Sequence, residues 1–159
     1  MDTNSKLRVI LAVSGNGYTS SGPKDRMEWT GHVDKALFRV LTLSGSRILG
    51  VSRKTHRAMP MSLPLRKLVL LSRSALTVEM FAKKYPGAWL IGGQTLVIEA
   101  IRRNLVDEVT LSWSLKHNVV PGEGARPVDE LLQVMEIFGL YPLARTRLDG
   151  VRVDHWLKT

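Results

Sequence analysis

The 159-residue chain has no cysteine, which excludes a disulfide framework, a thiolate metal site and a cysteine nucleophile. It has only four histidines, scattered and without HExxH-like spacing, so a metal centre is not expected. No apolar run approaches the length of a membrane span. The short run near the start, Leu7 to Val13, fits a strand and not a signal peptide. No GxGxxG follows that run, so the Rossmann fingerprint is missing. Acid is in short supply: 14 Asp and Glu stand against 23 Lys and Arg, for a net charge of +9 and a pI near 10.3. The basic residues form no long tract and no aromatic-interleaved run. Such a charge suits an anionic partner (nucleic acid, a phosphorylated cofactor or a poly-acid substrate) and suits equally a generically basic surface. The length and an apolar fraction of 44% predict one domain over residues 1–159, in the cytoplasm.

The periodicity predicts alternating strands and helices. Leu7 to Val13 is apolar enough for a strand buried on both faces. A turn-rich loop from Ser14 to about Thr30 follows, long for a compact domain. A helix is expected from about His32 to Leu43, then strands at Ser46 to Val51 and, buried again, at Arg66 to Ser72, with Arg53 to Arg57 opening a helical turn between them. Leu76 to Tyr85 reads as a helix ended by Pro86-Gly87, Ala88 to Ile91 as a strand, Gln94 to Asn104 as a helix and Val109 to Ser114 as a strand. Val120 to Pro127 reads as a loop and Val128 to Phe138 as a short helix. Asp149-Gly150 between Leu143 to Leu148 and Val151 to Leu157 signals a hairpin. The order implies an α/β domain, with a mostly parallel sheet covered by helices and a closing antiparallel hairpin.

Chemistry is expected at four places. On the first helix Leu37, Phe38 and Leu41 form an apolar stripe, and Asp34, four residues before Phe38, shares that face. A carboxylate there is either poised for a polar ligand or simply complements the helix dipole. Three loops at strand ends suit anions: Ser52-Arg53-Lys54-Thr55, Ser72-Arg73-Ser74 and Ile91-Gly92-Gly93-Gln94-Thr95. Together they suit a dinucleotide carrying an extra phosphate, which a guanidinium can grip.

The register of Trp29, Asp34, Phe38 and Thr42, then Ser52 to Thr55, Leu63-Pro64 with Arg66, Leu71-Ser72-Arg73 and Ile91-Gly92-Gly93 resembles the dihydrofolate reductase family over roughly residues 9 to 124. The resemblance implies that family's fold, NADPH as cofactor, and hydride transfer to C6 of 7,8-dihydrofolate, a step of one-carbon metabolism. It implies a catalytic group of Asp34, Trp29 and Ser112, with Asp34 on the pterin's 2-amino and N3 side, Trp29 holding water and Ser112 near Asp34 through a water. Substrate would also meet Phe38, Leu63, Arg66, Ala12 and Ile91, with Arg66 on the glutamate α-carboxylate. Cofactor would meet Ala12, Thr19, Arg53, Lys54, Thr55, Ser72, Arg73, Gly92, Gly93, Gln94, Thr95 and Leu96, with Arg53 and Arg73 on the 2′-phosphate. Met27 would lie on a loop closing over the nicotinamide, and the Gly92-Gly93 bond would be cis. Ser52, Glu28, Val97 and His56 depart from the family's usual residues. A monomer without a nucleic-acid or membrane partner is expected.

Gly92-Gly93-Gln94-Thr95-Leu96 with Leu105 to Glu108 also resembles the riboflavin-pathway reductases, whose substrates are aminopyrimidine phosphates. Trp29 with Asp34, and Arg66 after Leu63-Pro64, favour folate. A basic nucleic-acid-binding module is a third reading, with Trp113, Trp156 and Tyr141 stacking on bases.

Overall fold

The computed structural model describes residues 6–22, 25, 28–58 and 63–159; Met27 lies outside them. In chain order come β1 (Leu7–Ser14), β2 (Tyr18–Ser20), a 3-10 turn (Glu28–Thr30), α1 (Gly31–Thr42), β3 (Ile48–Ser52), α2 (Arg53–Ala58) and β4 (Lys67–Leu71). They are followed by α3 (Val78–Lys84), β5 (Trp89–Leu90), α4 (Gln94–Arg102), β6 (Val106–Ser114), β7 (Arg126–Pro127), α5 (Asp129–Ile137), β8 (Leu140–Leu148) and β9 (Val151–Lys158).

Seven strands form one sheet in the order β4-β3-β5-β1-β6-β9-β8. The first five run parallel, and β9 and β8 add antiparallel. The architecture is therefore α/β with a mostly parallel mixed sheet and a C-terminal antiparallel pair, as the alternation of elements implies. No helix among the described residues is long and apolar enough to cross a membrane.

β1 sits in the middle and shows why its sequence is almost wholly apolar. Leu7, Val9, Leu11 and Val13 enter the larger core, with Val97, Ala100 and Ile101 of α4 and Leu131, Val134 and Met135 of α5. Ile10 turns to the other face, where Leu49, Val51, Trp89 and Ile91 pack with Phe38 and Leu41 of α1. Successive side chains of a strand point to opposite faces, so a strand covered on both sides needs apolar residues at both sets of positions. α3 begins where Thr77 Oγ1 accepts the Met80 N–H at 3.2 Å, satisfying one of the amides a helix start leaves open. Gly150 closes the β8–β9 turn at φ +69°, a conformation that side chains with a Cβ disfavour.

Three expectations need correction. The Arg66 to Ser72 strand is not buried on both faces: β4 is the sheet edge, and only Leu71 in it is buried. Apolar composition marks a strand but not its rank in the sheet. The Val109 to Ser114 strand begins earlier, at Val106. The two predicted loops also contain strands, because β2 pairs antiparallel with β7 as a separate ribbon. Strands of three and two residues are too short to carry a period.

Trp156 is buried, and Trp113 lies under the Arg152 guanidinium, 4.7 Å from its ring centre. Of the aromatics considered for base stacking, Tyr141 is the exposed one.

Candidate active site

A cleft of about 1630 Å³ opens across the C-terminal ends of the parallel strands, where open α/β sheets place their ligands. Among the described residues, nine lysines and arginines line it against four carboxylates, Asp25, Asp34, Glu79 and Glu99. The cleft is thus electropositive on balance, with a buried acid, Asp34, at one end.

At the first end, α1 turns Asp34 toward β6. Ser112 on β6 is 1% exposed, and its hydroxyl donates directly to Asp34 Oδ1, so the contact expected through a water is a direct one. Alternation along β6 explains it: Val109 and Leu111 enter the larger core, while Ser112 and Ser114 face α1. Ser114 Oγ donates to the Thr30 carbonyl at 3.1 Å, fixing the chain where α1 begins. Burial pushes the Asp34 carboxyl above its usual range, partly offset by the Ser112 hydrogen bond, Lys35 and Thr30. Desolvation disfavours the charged form, so this acid gains from a ligand that can donate hydrogen bonds to it.

Phe38, Leu63, Ala12 and Ile91 line the same end. Arg66 stands beside them with its guanidinium centre 6.0 Å from the Phe38 ring centre. It donates from Nη1 to Thr42 Oγ1 at 2.9 Å and from Nε to the Pro64 carbonyl at 3.1 Å, contacts that hold its fork in one orientation. Burial and then the neighbouring Arg39 lower its pKa. Arg39 also lines the cleft. Sequence reading missed it, because it lies off the apolar stripe, among residues that read as a solvated face.

At the second end, Ser52 closes β3 and Arg53, Lys54 and Thr55 open α2. Ser52 Oγ accepts the Gly93 N–H at 3.1 Å and donates to Thr55 Oγ1 at 3.2 Å. The Gly92–Gly93 peptide is cis. A Cβ on either glycine would come within 3.2 Å of Thr55, so glycine here permits close packing of the turn on α2. Leu96 lines the wall beyond. Ser72 Oγ accepts the Ala75 N–H at 3.0 Å. Arg73 is 85% exposed and lies 3.9 Å from Glu99.

Other residues expected here have different duties. Gln94 and Thr19 line the cleft, yet both are buried and their polar atoms meet each other: Thr19 Oγ1 donates to Gln94 Oε1 at 2.6 Å, and Gln94 Nε2 donates to the Pro127 carbonyl at 2.9 Å. Their side chains are therefore committed to the β2–β7 ribbon. Thr95 Oγ1 accepts from Arg126 Nη1. Trp29 does not line the cleft. Its indole N–H donates to Asp25 Oδ2 at 2.9 Å, and Asp25 is the cleft-lining member of that pair. Asp25 and Arg126 carried no sequence signal, since both sit in stretches read as loop. The expected role of Met27 falls outside the described residues. Among the described residues no group of three or more His, Asp or Glu could hold a metal.

No protein-family model matches the chain, and no curated protein matches it.

Proposed function

We propose that the protein is a dihydrofolate reductase, its sheet a member of that fold family, which reduces 7,8-dihydrofolate with NADPH in the cytoplasm. The carrying observation is Asp34: a buried carboxylate braced by Ser112 in the same cleft as the Gly92–Gly93 turn and a majority of cations. A cleft of about 1630 Å³ exceeds the roughly 300–1,000 Å³ typical of a single small ligand, which supports two ligands side by side. The donor set suits NADPH: Arg53, Lys54 and Arg73 for its phosphates, and a glycine turn that lets backbone approach closely.

When bound, the cofactor supplies a hydride from nicotinamide C4 to C6 of dihydrofolate, while N5 takes a proton, giving tetrahydrofolate and NADP⁺. Asp34 accepts from the pterin 2-amino group and N3–H, fixing the ring's orientation. Its negative charge, developed beside the bound ring, favours the N5-protonated substrate. Ser112 orients the carboxylate. Phe38 packs on the pterin and benzoyl rings, Ala12 and Ile91 wall the reacting centre against water, and Arg66 holds the glutamate α-carboxylate.

Arg39 beside Arg66 would equally serve a substrate phosphate, which keeps the riboflavin-type aminopyrimidine reductase as the second reading. NADPH oxidation measured side by side with dihydrofolate and with the deaminated riboflavin precursor decides. Turnover with the aminopyrimidine alone overturns the folate assignment, and turnover with neither overturns both.

A further inference from the structure

The β2–β7 ribbon is built as an arm on the cation end of the cleft. Its strands come from segments over 100 residues apart, and one buried side chain ties both to the start of α4. Gln94, 4% exposed, receives the Thr19 hydroxyl from β2 and donates to the Pro127 carbonyl of β7. Thr19 Oγ1 also reaches the Arg126 carbonyl at 3.3 Å. A buried amide with both ends paired fixes position, because breaking either bond strands a polar group out of water.

Fixed this way, the arm carries Arg126 across the first turn of α4. Its guanidinium donates to Thr95 Oγ1 and lies 3.9 Å from Glu130. Thr95 is a neutral acceptor and Glu130 is 56% exposed, so neither neutralises the charge strongly. The first helical bond of α4 runs from the Val97 N–H to the Gly93 carbonyl. The amides of residues 94–96 therefore precede the helix's own ladder, in the turn whose Thr95 hydroxyl holds that guanidinium. Arg126 lines the main cleft and also a side cleft bounded by Arg73, Glu99 and Arg102.

We propose that Arg126 is a diphosphate ligand of the dinucleotide site, delivered by the ribbon, with Gln94 as its positioning residue. The assignment rests on the NADPH reading above and extends it to an arm that reading does not require. The guanidinium fork would donate to phosphoryl oxygens, adding its charge to those of Arg53 and Lys54 in the same cleft. Glu130 competes for the same fork while the site is empty.

The test is calorimetric titration of the full chain with NADPH and, separately, with dihydrofolate. Arg126→Gln should weaken NADPH binding about ten- to a hundred-fold, the loss of one charge-assisted contact, and leave dihydrofolate affinity unchanged. Glu130→Gln should tighten NADPH about two-fold by removing the competing anion, and should give no such gain in the Arg126→Gln background. Gln94→Met should weaken NADPH as Arg126→Gln does, and Arg126→Gln added to it should cost little more. NADPH affinity unchanged in Arg126→Gln, with the parent protein binding normally, overturns the assignment alone. A parent protein that binds no NADPH overturns the assignment and the reductase reading together. Melting curves of each variant, matched to the parent, keep a folding defect from passing as lost affinity.

Discussion

At one end of the cleft a single carboxylate, 7% exposed, is braced by a serine that is 1% exposed. At the other, Arg73 is 85% exposed and its nearest acid is 3.9 Å away. The first arrangement concentrates its effect in one residue, because a buried charge keeps its strength where water cannot screen it. The second spreads its effect over several weakly held cations that salt and solvent attenuate singly. Substitution should therefore be most severe at buried Asp34 and mildest at a freely exposed cation such as Arg73.

The sharpest way to break that contrast is Asp34→Asn. Turnover with dihydrofolate should fall by about a hundred- to ten-thousand-fold, the range for losing a group that acts on the reacting system's charge and protons. Near-parental turnover would remove Asp34 from its role. The same variant should be no less stable, and more stable near neutral pH. Folding raises the Asp34 pKa above 3.8, so the folded chain holds that proton more tightly than the unfolded chain. This group's contribution is most favourable below that value and is lost as pH rises through the raised pKa. Melting curves of both proteins from acid to neutral pH check it: the variant's advantage should grow with pH.

Arg66→Leu should come next, weakening dihydrofolate about ten- to a hundred-fold while NADPH binding stays near parental. Equal losses for both ligands would mean the two ends are not separable. Arg73→Ala should have a smaller effect, eroding the preference for NADPH over NADH by about ten-fold or less, as expected of one exposed cation; competition between the two cofactors measures it. Smallest, moderate added salt should weaken NADPH binding more than it weakens a neutral pterin, since screening acts on the exposed end.

Much of this contrast was legible in the residues. Asp34 four positions before Phe38 already places an acid on an apolar face, and the Ser52 to Thr55, Ser72-Arg73 and Gly92-Gly93 stretches already gather at strand ends. What the pattern concealed were partners far along the chain. The family resemblance implies that Gln94 and Thr19 meet a cofactor, yet they are 75 positions apart and bonded to each other. Arg126 read as loop because a two-residue strand has no period.

The chain's own periodicity determined the α/β alternation, the almost wholly apolar central strand, the Asp149-Gly150 hairpin and the face on which Asp34 lies, since each depends on residues within a few positions of one another. Only the tertiary structure decided that β4 is an edge, that Ser112 reaches Asp34 directly across 78 positions, and that the β2–β7 ribbon stands over α4. Those outcomes depend on which elements pack together, and a side chain's partner across the fold leaves no mark on its neighbours in sequence.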